Sequence, residues 1–389
     1  MSSTAKNIMM IAAEASSAHY AVQLLQYWKS QKKNYYFYGV GSSQMESLGF
    51  VRYGKSEEMA VVGIAEILDN LKLIKSVFNS LLQQVEERRP DAVILMDYPD
   101  FNLRLAKKLK EKGIPVFYYI SPQIWAWRQS RIHDIKAYCE KVFLLFPFEK
   151  AFYDRFQVPN EFVGHPLLDD LDTSLLDPEK IDFRQQQYGV LPHQKVLALM
   201  PGSRKGEIQH HMQIQLEVAR QLLNKYPDLK LFIFVAPTLT KEYLSGFLEN
   251  FSENYTLIKD EPYKMISLAD FILVASGTAT LQVGLMEKPM VIMYKVNWLT
   301  GVIGEFLTRG LKFFGLVNLV LDKEVAPELK QSEVKVDELV RLMSRYIDSE
   351  EFANQTRQEL KQVKTALGDK GATSRVAESI NRFLEVKQS

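Results

Sequence analysis

The sequence predicts an α/β protein of two doubly wound, mostly parallel halves followed by a helical carboxy-terminal tail. Three observations lead there. Apolar runs of five to seven residues alternate with longer amphipathic stretches from the first residues onward, the pattern of successive βα units. The alternation breaks once, in an acidic and turn-rich stretch, and then starts again. From about residue 335 the strands cease and only helical periodicity is left. At about 100 to 200 residues per domain, a chain of 389 residues suits this division.

Taken in order, the first half should hold strands near residues 8–14, 35–40, 92–97, 116–121, 141–146 and 161–163. Helical patterns at about 17–30, 64–88, 102–112 and 149–156 lie between them, the third stopped by Gly113 and Pro115. This half is expected to span residues 1–168. Asp169-Asp170, Asp172, Asp177-Pro178 and Leu191-Pro192 mark 169–192 as a linker with some helix. Strands near 196–200, 229–235, 255–258, 271–275 and 290–294 build the second half, 193–334. The tail, 335–389, repeats apolar residues at helical spacing (Leu339, Leu342, Met343, Tyr346, then Val376, Ile380, Phe383, Leu384) and must pack on one half or on a second subunit.

Composition excludes other classes. With 47% hydrophobic and 24% charged residues, the chain is neither disordered nor fibrous. Forty-eight basic against 47 acidic side chains leave a net charge of +1, so no whole-molecule field favours nucleic acid. A single cysteine, Cys139, forbids an intrachain disulfide framework and points to the cytoplasm. The apolar stretch 8–13 is too short for a secretion signal, and 289–307 is broken by Lys295 and Glu305 before it could span a membrane. A soluble protein is expected, one able to sit on a membrane surface.

In open α/β folds ligands bind beyond the carboxyl ends of the strands, and two such domains would place a cleft between those ends. Four segments there carry candidate chemistry. In the first, Pro99 cannot continue a strand, so Asp97 sits at the strand tip as a general base or as a buried structural acid, while Asp100 reads as a helix cap. The second runs from Ser121 to Arg131. Trp125 and Trp127 would form an apolar wall beside Arg128 and Arg131, three apart on one helix face, suiting a ligand with an apolar or sugar face and a phosphate. A packing anchor with solvated arginines is the alternative. In the third, Pro201-Gly202-Ser203-Arg204-Lys205 turns into a helix whose amides, with Arg204, could hold an anion, or it is a turn with surface charges. In the fourth, Ser276, Gly277, Thr278, Ala279 and Thr280 make a small-residue turn suited to a phosphate, though without the Walker lysine, or they form a plain helix cap.

Three weaker signals are set aside. Gly39-Val40-Gly41 has Gln44 where the dinucleotide fingerprint needs its third glycine. Asp170-Leu171-Asp172 falls in the linker, and His210-His211 lacks a metal-binding spacing, because adjacent residues of a helix face different ways. No metal and no cofactor are expected.

The run from Ser121 to Arg131 (SPQIWAWRQSR), with Leu145 to Tyr153 (LFPFEKAFY), Phe162 to Pro166 (FVGHP), Pro201 to Arg204 (PGSR) and Ser276 to Ala279 (SGTA), closely resembles the lipid-A-disaccharide synthases from about residue 8 to beyond 320. The resemblance implies a GT-B glycosyltransferase. It would join UDP-2,3-diacylglucosamine to 2,3-diacylglucosamine 1-phosphate (lipid X) through a β-1,6 bond, release UDP, and invert the anomeric centre without a metal. It further implies Asp97 as the base and Glu14, Ser16, Ser121, Trp125, Trp127, Arg128 and Arg131 on the acceptor side. Arg204, Ser276 to Thr280, Gln282 and Asn318 would lie on the donor side, and Val61, Val62 and Ile64 in a wall for acyl chains. Peripheral association with the cytoplasmic face of the inner membrane and a homodimer are the remaining expectations.

The sequence also departs from the family. Its Gly-Glu-Ala-Ser-Gly-Asp reads Ala13-Glu14-Ala15-Ser16-Ser17-Ala18, which adds a Cβ at two glycine positions and removes an aspartate. Gln282 replaces a glutamate and Val317 a proline. These changes keep two competitors open: another UDP-hexosamine transferase or 2-epimerase of the same fold, and a relative that binds acyl-sugar without turnover.

Overall fold

The computed structural model describes residues 5–59, 67–125, 128–295 and 312–386, of which 67–70 by their backbone. The chain divides into two compact units, Met1–Asp169 with Leu367–Ser389, and Asp170–Ala366.

The first unit is a seven-stranded parallel sheet of β1 (Lys6–Ala12), β2 (Tyr35–Gly41), β3 (Val51–Lys55), β4 (Ala92–Met96), β5 (Val116–Tyr119), β6 (Lys141–Leu144) and β7 (Asn160–Phe162). Its order is β3-β2-β1-β4-β5-β6-β7, so the winding reverses between β1 and β4. Every residue of β4 is buried, as a central parallel strand covered by helices on both faces must be. The helix after β4 runs Pro99–Glu111, three residues earlier than the expected 102, because proline is well tolerated at the first helical position. Strand β3 (VRYGK) is absent from the expected list. It lies at the sheet edge with most side chains partly or fully exposed, so no apolar run announces it.

The second unit repeats the design with β8 (Lys195–Met200), β9 (Leu229–Phe234), β10 (Tyr255–Ile258), β11 (Phe271–Ala275), β12 (Met290–Tyr294) and β13 (Glu328–Lys330), in the order β10-β9-β8-β11-β12-β13. The reversal falls between β8 and β11. The edge strand β13 also escapes the sequence pattern, being three residues with none buried.

The linker and tail are not separate pieces. Helix Pro178–Gln187 belongs to the second unit, where the buried Gln185 amide donates to Leu268 O at 2.8 Å. Helices Val336–Asp348 and Glu350–Ala366 also stay there, with Tyr346 stacked between Phe271 and Phe352. The last helix, Ala372–Val386, belongs to the first unit. Its Asn381 Oδ1 accepts from both Trp28 Nε1 and Tyr35 OH at 2.9 Å, and Phe383 meets Phe117 edge-on. The Asp169 carboxylate accepts the Gly371 and Thr373 amides at 2.6 and 3.0 Å.

Candidate functional site

In the first unit the candidate residues gather beyond the carboxyl ends of β1, β4 and β5, at the reversal of winding where open α/β sheets hold ligands. Asp97 and Tyr98 follow β4 with φ of 48° and 45°, and Ile120 follows β5 with φ of 62°. Left-handed backbone is costly for such residues, above all for β-branched isoleucine, and persists only where the surroundings impose it. Here the bonds are visible. Asp97 N donates to Ile120 O at 3.1 Å, while Asp97 O accepts from Tyr118 OH at 2.7 Å and from Asn102 Nδ2 at 2.6 Å. The backbone of Asp97 is therefore gripped from three sides, and its half-buried side chain stands at the strand tip. Tyr98 beside it is pushed above the ordinary phenol value by burial and by the negative charges of Glu14 and Asp100.

Glu14 lies at the start of helix Ala15–Ser30. Ser17 is fully buried: its hydroxyl accepts from Glu14 N at 3.0 Å and donates to Glu14 O at 2.9 Å. Its side chain is thus turned inward to start the helix, while Ser16 stays exposed. Ala18 is buried.

The tryptophan segment differs from expectation. Its helix begins only at Arg131 and Arg128 has φ of 55°, so the two arginines do not share a helix face. Both guanidinium groups instead turn to the Asp100 carboxylate, Arg128 at 3.5 Å and Arg131 more closely. Ser121 is buried, with its hydroxyl against the Tyr153 hydroxyl. Trp125 donates from Nε1 to Glu149 Oε1 at 3.2 Å and meets Phe148 edge-on at 4.9 Å. Trp127, like Val61, Val62 and Ile64, lies outside the described residues.

Glu149, missed in the sequence as a site residue, holds this corner together. It is 2% exposed, and its Oε2 also accepts the Leu145 and Phe146 amides at 3.2 and 3.0 Å. Three N–H donors favour the carboxylate, yet burial outweighs them and pushes the group up to about 7. Beside it, His165 is fully buried, meets the Phe146 ring and is pulled down to about 3 by burial. The available signal was an acid in the otherwise apolar run LFPFE. Because the folded value of Glu149 lies above the unfolded 4.5, its contribution to stability is complete below that pH and is lost as pH rises through about 7. The loss should total about 3 kcal/mol. Denaturation midpoints compared between pH 4.5 and 8 should therefore fall more steeply for the wild type than for Glu149→Gln. Equal slopes would show that the carboxyl stays ionised.

In the second unit the candidate residues lie beyond β8 and β11, again at the reversal. Gly202 has φ of 130°, and a Cβ there would stand 2.6 Å from Glu207 Oε2, so the turn requires glycine. Glu207 Oε2 accepts the Ser203 and Arg204 amides at 2.9 and 3.3 Å, while Oε1 takes the exposed Arg204 guanidinium at 3.4 Å. The amides of this turn are thus braced by a carboxylate, and Arg204 is the group presented outward.

After β11, Gly277 is exposed and a Cβ there would meet nothing within 4 Å, leaving space for close approach to the backbone. Ser276 Oγ reaches Phe314 O at 3.5 Å, and Thr278, Ala279 and Gln282 are half-buried. Thr280 is fully buried and its hydroxyl donates to Gly277 O at 2.8 Å, so it shapes the turn. Asn318 also differs from expectation. Its amide nitrogen donates to Ala326 O and Glu328 Oε2 at 2.7 and 3.1 Å, and its oxygen accepts the Val325 and Ala326 amides at 2.9 and 3.0 Å. All four of its hydrogen-bonding positions are used within the fold, which makes it a scaffold for the loop before β13 and leaves none for a nucleotide. Among the described residues no three His, Cys, Asp or Glu side chains converge as for a metal, and no helix is long and apolar enough to cross a membrane.

A family model described as lipid-A-disaccharide synthetase matches residues 8–381. The lipid-A-disaccharide synthase of Geobacter sulfurreducens is 38% identical over 374 residues, 96% of each chain. That of Geobacter metallireducens is 35% identical over 98% of each. Among solved structures, S. aureus MnaA with UDP superimposes with a TM-score of 0.67 over 98% of this chain and 97% of its own. At 13% identity this likeness is one of fold alone.

Proposed function

Since the chain belongs to the lipid-A-disaccharide synthetase family, we propose a division of labour between its two units in a glycosyl transfer from a UDP-sugar to a phosphorylated sugar. The first unit takes the acceptor, 2,3-diacylglucosamine 1-phosphate. Asp97 removes the proton from its 6-hydroxyl as that oxygen attacks the anomeric carbon of UDP-2,3-diacylglucosamine. The second unit takes the donor, and UDP departs as an anion whose growing charge is met by Arg204 and by the backbone around Ser276, Gly277 and Thr278. The β-1,6-linked disaccharide 1-phosphate and UDP are the products. Acyl chains on both substrates put the reaction at the cytoplasmic surface of the inner membrane.

The observation that carries this reading is Asp97, an acid at a strand tip whose unfavourable backbone is held by three bonds through its N and O. The test is a UDP-release assay with both diacylated sugars in detergent and EDTA, with the product weighed by mass spectrometry. The disaccharide 1-phosphate is expected. UDP bound without turnover would favour a binding-only relative, and release that does not need the acylated acceptor would favour another transferase.

A further inference from the structure

The helix Lys205–Lys225 buries an apolar face made of Ile208, Met212, Leu216 and Ala219. Through it runs a polar stripe at intervals of four residues, Glu207, His211 and Gln215, and successive members meet successive points of one backbone stretch. Gln215 Nε2 lies 3.5 Å from Met200 O, His211 Nδ1 lies 2.9 Å from Pro201 O, and Glu207 accepts the Ser203 and Arg204 amides. Two members also reach the end of β12, Gln215 to Met293 Sδ at 3.5 Å and His211 Nε2 to the Lys295 amide at 3.0 Å. The stripe thus crosses the end of β11, where Ser276 and Gly277 leave the sheet, and ties the ends of its two neighbours, β8 and β12.

The partners fix the chemical form of the ring. A carbonyl can only accept, so Nδ1 carries the proton; an amide N–H can only donate, so Nε2 offers its lone pair. His211 is therefore neutral and, at 1% exposed, is pulled below the ordinary imidazole value by burial. Gln215 is fully buried and its Oε1 has no hydrogen-bond partner among the described residues. A stripe selected for stability alone would be apolar here. The partners of His211 and Gln215 are backbone groups and one sulfur at the ends of β8 and β12, and those of Glu207 are the amides and guanidinium of the turn after β8.

We propose that His211 is a positioning residue for the nucleotide: its ring ties the Pro201–Arg204 turn to Lys295 and so holds Arg204 and the neighbouring turn in place before UDP arrives. The proposal rests on the reading of the second unit as the donor side. It is tested on the full-length chain with UDP as ligand, by calorimetry and by steady-state kinetics. His211→Leu removes both ties, whereas His211→Asn places an amide nitrogen where Nδ1 stands and keeps the tie to Pro201. The expected result is a loss of UDP affinity of about tenfold in the leucine variant. The KM for the UDP-sugar should rise in parallel, with the KM for the acceptor unchanged and affinity largely restored in the asparagine variant. Leucine and asparagine variants that both bind UDP as the wild type does would overturn it, even if their melting temperatures fell, because His211 would then only support the fold. A wild-type chain that fails to bind UDP would instead overturn the donor-side reading and the proposal with it.

Discussion

Replacing Asp97 with asparagine is expected to lower turnover by about 10²- to 10⁴-fold, the usual worth of a general base, and to leave UDP binding nearly unchanged. Three features make the variant informative. Asparagine is close in size and is among the residues best suited to left-handed backbone, so the φ of 48° is kept without new strain. Three bonds to the turn run through Asp97 N and O, to Ile120, Tyr118 and Asn102, and the substitution leaves those atoms in place. What is lost is an oxygen able to accept a proton from an attacking hydroxyl. Single-turnover rates with saturating substrates, beside calorimetric UDP affinity, check this. A rate equal to the wild type would remove Asp97 from the mechanism, while equal losses of rate and of UDP binding would point to a structural acid.

The second large effect is expected on stability. Asn318→Leu preserves shape but leaves the Val325 and Ala326 amides and the Ala326 carbonyl without partners, and both residues are buried. At about 1–3 kcal/mol for each orphaned group, a loss of several kcal/mol should appear in urea denaturation. Glu328 would keep its bonds to the Phe314 and Gly315 amides, so β13 should stay attached while the loop before it loosens. For variant protein kept folded at low temperature, UDP affinity should change far less than stability. Lost UDP affinity in a variant of wild-type stability would return Asn318 to the donor site.

The legibility of this protein follows burial. The central strands, such as AVILM in β4 and FILVA in β11, are covered on both faces and therefore appear as unbroken apolar runs, so both sheets could be read without coordinates. The edge strands β3 and β13 carry no such run and stayed hidden, although two other edge strands, β7 and β10, were read. The same holds within the site. Asp97 was legible because Pro99 ends the strand two residues later, and Arg204 because a glycine turn precedes a helix. Hydrogen-bond partners have no sequence signature. That Arg128 and Arg131 turn to Asp100, that Asn318 is consumed by its own loop, and that Glu149 sits under Trp125 depend on which distant atoms meet.

The division of the tail shows the limit most plainly. Helical periodicity from about residue 335 onward is a local property, set by the spacing of apolar residues, and the sequence determined it alone, together with the alternating βα pattern and the family. Which sheet each helix covers was decided only in three dimensions. The last helix joins the first unit because Asn381 meets Trp28 and Tyr35, Asp169 meets the Gly371 and Thr373 amides, and Phe383 meets Phe117. An apolar stripe specifies that something must cover it; the identity of the cover depends on shape and on hydrogen-bond complementarity between residues hundreds of positions apart.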